Sequence, residues 1–247
     1  MHIHLRKFSY IFVMKSKSKK RYSRLKKSYK KQIVNKMIYL AKKDISDISI
    51  VLDKLTESDK IFMENENFNS SIINRSININ RVLVPESYIS NSILLLNLIL
   101  LSNENRIKDG YIFPALFSFR QYLELTMKDS IHNFMVALGE CNDTQIGFKK
   151  KHSLKKLWDI LNTYILKFEN DNIDLHNFGK LINELDNVDE CSMAFRYSFQ
   201  SDNKGNIIPN ILGCKSIDIH NLKNIELKMF CFIEGINDLS YEKANLD

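Results

Sequence analysis

The chain is short of turn formers, with seven glycines and three prolines in 247 residues. That scarcity argues against a many-stranded sandwich or barrel, which needs a sharp reversal every few residues. Its four cysteines, Cys141, Cys191, Cys214 and Cys231, are far apart. They form no Cys-x-x-Cys pair and have no histidine at zinc-ligand spacing, so neither a disulfide framework nor a zinc site is expected and the thiols read as reduced. Also missing are a Gly-rich phosphate loop, a Gly-x-Ser-x-Gly elbow, a His-Glu-x-x-His pair and the kinase signatures. The run Ile93–Leu101 is about half of what a bilayer crossing requires, and the first residues lack the apolar core and small-residue cleavage site of a signal peptide. These absences lead us to expect a cytoplasmic protein that needs no cofactor or metal and does not engage a membrane.

Leu, Ile, Lys, Asn and Glu dominate the composition, which favours long helices and a mostly α fold. Asn, Ile and Lys are common enough to reflect an AT-rich coding sequence, so a single Lys or Asn carries little functional weight. Charge is unevenly placed. Residues 1–31 hold 12 of the 36 basic residues and no acidic one, leaving 24 basic against 29 acidic residues beyond. Such a segment attracts phosphate polyanions and releases their counterions on binding. A solvated tail has the same composition. The expected organisation is a basic segment over 1–31, a helical extension and Asn-rich linker over 32–84, and a helical bundle over 85–247.

Within the bundle, Pro85 and Pro114 each suit the first turn of a helix. The first of these helices continues its apolar residues to Leu101. The second carries Leu116, Phe119, Leu123, Met127, Ile131 and Met135 on one stripe. Ser153 reads as the N-cap of a third helix with the stripe Leu154, Leu157, Trp158, Leu161, Ile165 and Phe168. A shorter helix covers about Leu175–Leu185, and Leu222–Leu239 marks a C-terminal one. Residues 193–200 alternate like a strand, Asp202–Gly205 is a turn, and 207–212 completes a hairpin whose Pro209 confines it to an edge. The alternation through Arg81–Val84 suggests one further short strand.

Three charged clusters stand against these stripes. Arg120, Glu124 and Lys128 fall at successive four-residue steps, so they form a line along one helix. The line serves either as a groove wall, with Arg120 and Lys128 holding phosphate and Glu124 orienting Arg120, or as a salt-bridge ladder whose stems cover the core. His152, after Lys149, Lys150 and Lys151, either transfers protons near neutral pH or closes the start of the third helix. Arg196, between Phe195 and Tyr197, either caps a helix C-terminus or projects into the same groove as Arg120.

The order Arg120-Gln-x-Leu-Glu-x-x-x-Lys128, Lys151-His-Ser-Leu-x-x-Leu157 and Phe195-Arg-Tyr197 resembles the HEPN superfamily over about Pro85–Leu239. The resemblance implies an antiparallel helical bundle, often dimeric, of the kind found in prokaryotic toxin–antitoxin and antiviral systems, where many members are metal-independent ribonucleases. It also implies RNA or nucleotide as ligand, a homodimer, and a partner protein encoded nearby. Arg120, His152 and Arg196 would be the catalytic set, with Glu124, Lys128, Tyr197, Lys149, Lys150 and Lys151 binding. Catalytic members carry Arg, four to six residues, then His on one late helix. None of the six histidines here has an arginine at that interval, and Lys215 to His220 repeats the spacing with Lys instead. A non-catalytic interaction and oligomerisation module is the alternative expectation.

Overall fold

The computed structural model describes residues 76–141, 152–190, 192–211 and 216–245, together with Asp59 and Ser71. The basic segment 1–31, most of the helical extension expected over 32–84, and Lys149, Lys150 and Lys151 lie outside the described residues. The chain divides into two units at Met63/Glu64, and every element below belongs to the second. In chain order these are α1 (Ile77–Leu101), α2 (Asn105–Ala137), α3 (Leu154–Ile165), α4 (Ile173–Val188), β1 (Phe199–Ser201), β2 (Ile207–Pro209) and α5 (Ile219–Ala244). The protein is mostly α with one small hairpin, as composition suggests.

Both prolines sit deeper in their helices than the first-turn rule predicts. Residues 77–84 therefore belong to α1 and not to a linker or strand. Ser76 caps this first turn by accepting from Ile79 N at 3.2 Å. Arg81 then ties it to α2, with Nε 2.5 Å from Asp129 Oδ1 and Nη2 donating to Asn133 Oδ1 at 2.7 Å. A tertiary tie thus overrides a local alternation that reads as strand. Pro114 of α2 is exposed, as is Gly110 four residues before it, so the carbonyl that loses its intrahelical donor faces solvent.

The core forms where the predicted stripes meet. Phe119, Leu123, Met127 and Ile131 of α2 pack with Leu154, Leu157, Trp158, Leu161 and Ile165 of α3, with Leu175, Phe178 and Ile182 of α4, and with Met229 and Ile233 of α5. α1 and α2 run antiparallel, since Arg81 meets Asp129 and Asn91 meets Ser118. α3 and α4 do the same, with Trp158 against Phe178 and Ser153 bonded to Asp186. α3 runs alongside α2 in the same direction, with Arg120 near His152 and Phe134 near Phe168. Gly179 admits this packing closely: a Cβ there would lie 2.7 Å from Trp158 Nε1.

Strand structure is confined to three-residue β1 and β2, paired Phe199↔Pro209, Gln200↔Ile208 and Ser201↔Ile207. Residues 193–197, expected to alternate as a strand, instead form a helical turn in which Arg196 N and Tyr197 N both donate to the Met193 carbonyl. The buried carboxylate of Asp189 is the reason: its Oδ1 accepts from Ala194 N at 2.8 Å and curls the chain before pairing begins. Among the described residues, α1 is long and apolar enough, by length and composition only, to cross a membrane.

Candidate functional site

Arg120 occupies the middle of α2 and has no exposed surface. Each of its nitrogens finds an acceptor inside the protein. Nη1 donates to Glu124 Oε2 at 2.8 Å, Nε to the Asp189 carbonyl at 3.2 Å, and Nη2 to the His152 carbonyl. Asp189 Oδ2 lies 3.3 Å from Nε as an ion-pair contact and not a hydrogen bond, because the Nε proton points at the neighbouring carbonyl. One guanidinium therefore ties α2 to the start of α3 and the end of α4. It cannot touch an external phosphate, so it does not line the groove that its place beside Lys128 suggests.

Glu124 gathers the remaining charges of this line. Its Oε1 accepts from Lys128 Nζ at 2.6 Å and from His152 Nδ1 at 3.0 Å. Burial pushes the Glu124 carboxyl up, but the hydrogen bonds from Lys128, Arg120 and His152 outweigh it and hold the group below its ordinary range. It is thus an ionised carboxylate on the floor of a small surface site. His152 has 59% of its side chain exposed above it and Lys128 has 21%. Because Nδ1 faces the carboxylate, the imidazole presents Nε2 to solvent.

The start of α3 is closed by a second buried acid, Asp186 near the end of α4. Asp186 accepts from Ser153 Oγ at 3.0 Å and from Leu154 N at 2.7 Å, while Ser153 Oγ accepts from Lys156 N at 3.2 Å. The helix N-terminus, a natural seat for an anion, is thus taken by an internal carboxylate. His152, Ser153 and Leu154 make this junction in turn: a carbonyl for Arg120, a cap, and an amide for Asp186.

Arg196 lies apart and shares no partner with Arg120. It is exposed, and its Nε donates to the Ser192 carbonyl. Its guanidinium carbon sits 5.7 Å from the ring centres of both Phe117 and Tyr197. Phe195 is buried, whereas Tyr197 is about half exposed. The two arginines are linked only indirectly, through Asp189, which Arg120 holds and which in turn shapes the turn carrying Arg196.

Sequence reasoning missed the polar face of α2 that meets α5. Tyr122 Oη donates to Glu234 Oε1 at 2.6 Å, and burial raises the Tyr122 phenol far above its ordinary value. Burial also raises Glu234, helped by the carboxylates of Asp238, Glu86 and Asp129. Glu226 of α5 has no exposed surface and accepts from Ser92 Oγ at 2.8 Å. Among the described residues its Oε1 has no hydrogen-bond partner, and burial pushes its pKa up to about 8. The only sequence signal was a charged residue inside an apolar stripe. No three His, Cys, Asp or Glu among the described residues are grouped to hold a metal. No family model, curated protein or solved structure matches this chain.

Proposed function

We propose that this chain is a HEPN-like protein of a stress or antiviral defence system that binds nucleic acid or nucleotide and does not use Arg120 for chemistry. The supporting observation is that one buried oxygen, Glu124 Oε1, anchors both Lys128 and His152, setting an ammonium and an imidazole side by side at the surface. Lys149, Lys150 and Lys151 precede His152 directly, and the basic segment 1–31 adds non-specific affinity for a polyanion. Cleavage would need a further group to stabilise charge on the phosphate. The one arginine in the line is committed to the interior, so the reading is one of binding.

Labelled single-stranded RNA tests this reading. Lys128→Ala/His152→Ala should weaken binding and flatten its salt dependence, with no cleavage by either protein. Turnover that disappears with His152→Ala would replace it with a nuclease whose proton-transfer group is His152 Nε2. Unchanged binding in the double variant would remove the surface assignment.

A second reading is a non-catalytic interaction module that forms a homodimer or holds a partner protein. It is supported by the exposed apolar side chains Ile77, Val82, Leu83 and Leu94 of α1. Sedimentation of the full chain decides it: Val82→Asp/Leu83→Asp should dissolve an oligomer if α1 forms the contact, and a monomeric wild type would exclude the homodimer.

A further inference from the structure

A buried polar layer crosses α1, α2 and α5 and divides the apolar interior in two. Each helix places one polar side chain at this level: Ser92 on α1, Ser118 on α2 and Glu226 on α5, all buried. On one side lies the main core, which begins at Ile89, Phe119 and Met229. On the other is a smaller, separate cluster, in which Leu96, Ile99 and Ala115 pack with Tyr111, Ile112, Ile219 and Leu222. The helical repeat sets this arrangement, because Ser92 falls between Ile89 and Leu96, Ser118 between Ala115 and Phe119, and Glu226 between Leu222 and Met229.

Within the layer, Asn91 Nδ2 donates to Ser118 Oγ at 2.7 Å and Ser92 Oγ donates to Glu226 Oε2 at 2.8 Å. The second oxygen of Glu226 has no partner among the described residues. A neutral acid tolerates that position. A carboxylate does not, since one hydrogen bond and no cation replace little of the hydration it gives up. The charged groups of the surrounding helices are engaged elsewhere. Lys223, one turn earlier on α5, donates to Asn97 of α1 at 2.7 Å. Arg81 of α1 is bound to Asp129 and Asn133 of α2. Glu86 and Asp129 act on Glu234, which accepts from Tyr122. Burial raises the Glu226 pKa and the Ser92 hydroxyl lowers it, and no charged group among the described residues adds to them.

We propose that this layer is a proton-controlled joint: protonated Glu226 keeps the first two turns of α5 closed on α1 and α2, and ionised Glu226 releases them so that water reaches the carboxylate. The smaller cluster gives way first, because it holds less buried apolar surface than the main core and lies where α5 begins. Asp218 caps these turns by accepting from His220 N and Asn221 N, so they move as formed helix. Met229 and Ile233 hold the rest of α5 in the main core. Opening bares Leu96, Ile99 and Ala115, an apolar surface that the closed protein hides. The joint involves neither Lys128 nor His152, so it does not rest on the binding reading above.

Hydrogen–deuterium exchange of the full chain, read by mass spectrometry as protection relative to the intrinsic amide rate at each pH, tests the joint. Closure is strongest below the ordinary carboxyl pKa and weakens as pH rises toward the closed value. Residues 219–226 should therefore lose protection about tenfold per pH unit from about pH 5.5 to 7.5, levelling off above about 8. Over that range they should be at least about tenfold less protected than residues 154–165. Glu226→Gln, which copies the shape of the protonated acid, should abolish the pH dependence. Ser92→Ala keeps the acid but removes its hydrogen bond, and should carry the loss of protection to higher pH. Protection at 219–226 that is independent of pH, or that stays pH-dependent in Glu226→Gln, overturns the joint. So does protection equal to that of 154–165 at every pH, because α5 would then open only with the whole bundle. If Glu226→Gln fails to fold, Ser92→Ala decides: an unshifted profile overturns the proposal.

Discussion

The bundle buries charge in two places, and the two treat it differently. Toward α3 and α4, Arg120 meets Glu124, Asp189 and the His152 carbonyl, so each charge removed from water has an opposite charge or a dipole facing it. In the seam between α1 and α5, Glu226 is equally buried but, among the described residues, has a serine hydroxyl for one oxygen and no partner for the other. Burial is common to both, so it is partner supply that decides the state of the acid: Glu124 stays ionised and Glu226 stays protonated. The first arrangement locks a geometry. The second leaves a seam whose strength depends on pH.

The largest expected effect breaks the first arrangement. Arg120→Met removes the cation while leaving Glu124 and Asp189 buried, and should cost about 3–5 kcal/mol in urea unfolding. A loss below about 1 kcal/mol would mean that water reaches the knot. The next effect concerns Glu226 and has a definite sign. Its folded pKa of about 8 lies above the ordinary 4.5, so the folded state is favoured most below pH 4.5 and loses stability as pH rises toward 8. At roughly 1.4 kcal/mol per unit of difference the loss amounts to a few kcal/mol. Glu226→Gln should flatten that slope, and a wild-type profile level between pH 4.5 and 8 would refute it. Glu124 acts in the opposite sense: its lowered pKa contributes stability above its unfolded value, lost as pH falls through the folded one.

How much of this was legible in the sequence follows from the range of the interactions. The stripes Leu116–Ile131 and Leu154–Ile165, and the cap at Ser153, depend on residues within a turn or two, and periodicity reveals them. The start of α1 at Ile77 depends on Arg81 reaching Asp129 and Asn133, some fifty residues away, which no local pattern carries. For the same reason the four-residue steps of Arg120, Glu124 and Lys128 exposed a shared helix line but not its depth. Depth is set by Asp189 and His152, which arrive from other elements. No nearby residue marks the roles of Asp186 and Asp189 at the start of α3 and on Arg120, because Leu154 N, Ser153 and Arg120 lie at least thirty residues away. Arg196 was misplaced on a strand because Asp189 captures Ala194 N before pairing starts.

Smaller effects sharpen the same contrast. Ser153→Ala should cost about 1 kcal/mol, the ordinary worth of an N-cap, with the added loss of one of the two bonds to Asp186. Arg196→Ala should change stability by no more than about 0.5 kcal/mol, because its side chain is exposed and pairs with no carboxylate among the described residues. Two arginines in one domain would then differ several-fold in what their removal costs the fold. Equal destabilisation by Arg120→Met and Arg196→Ala in parallel urea titrations would erase that division, and the turn at Ser192 would then be part of the scaffold.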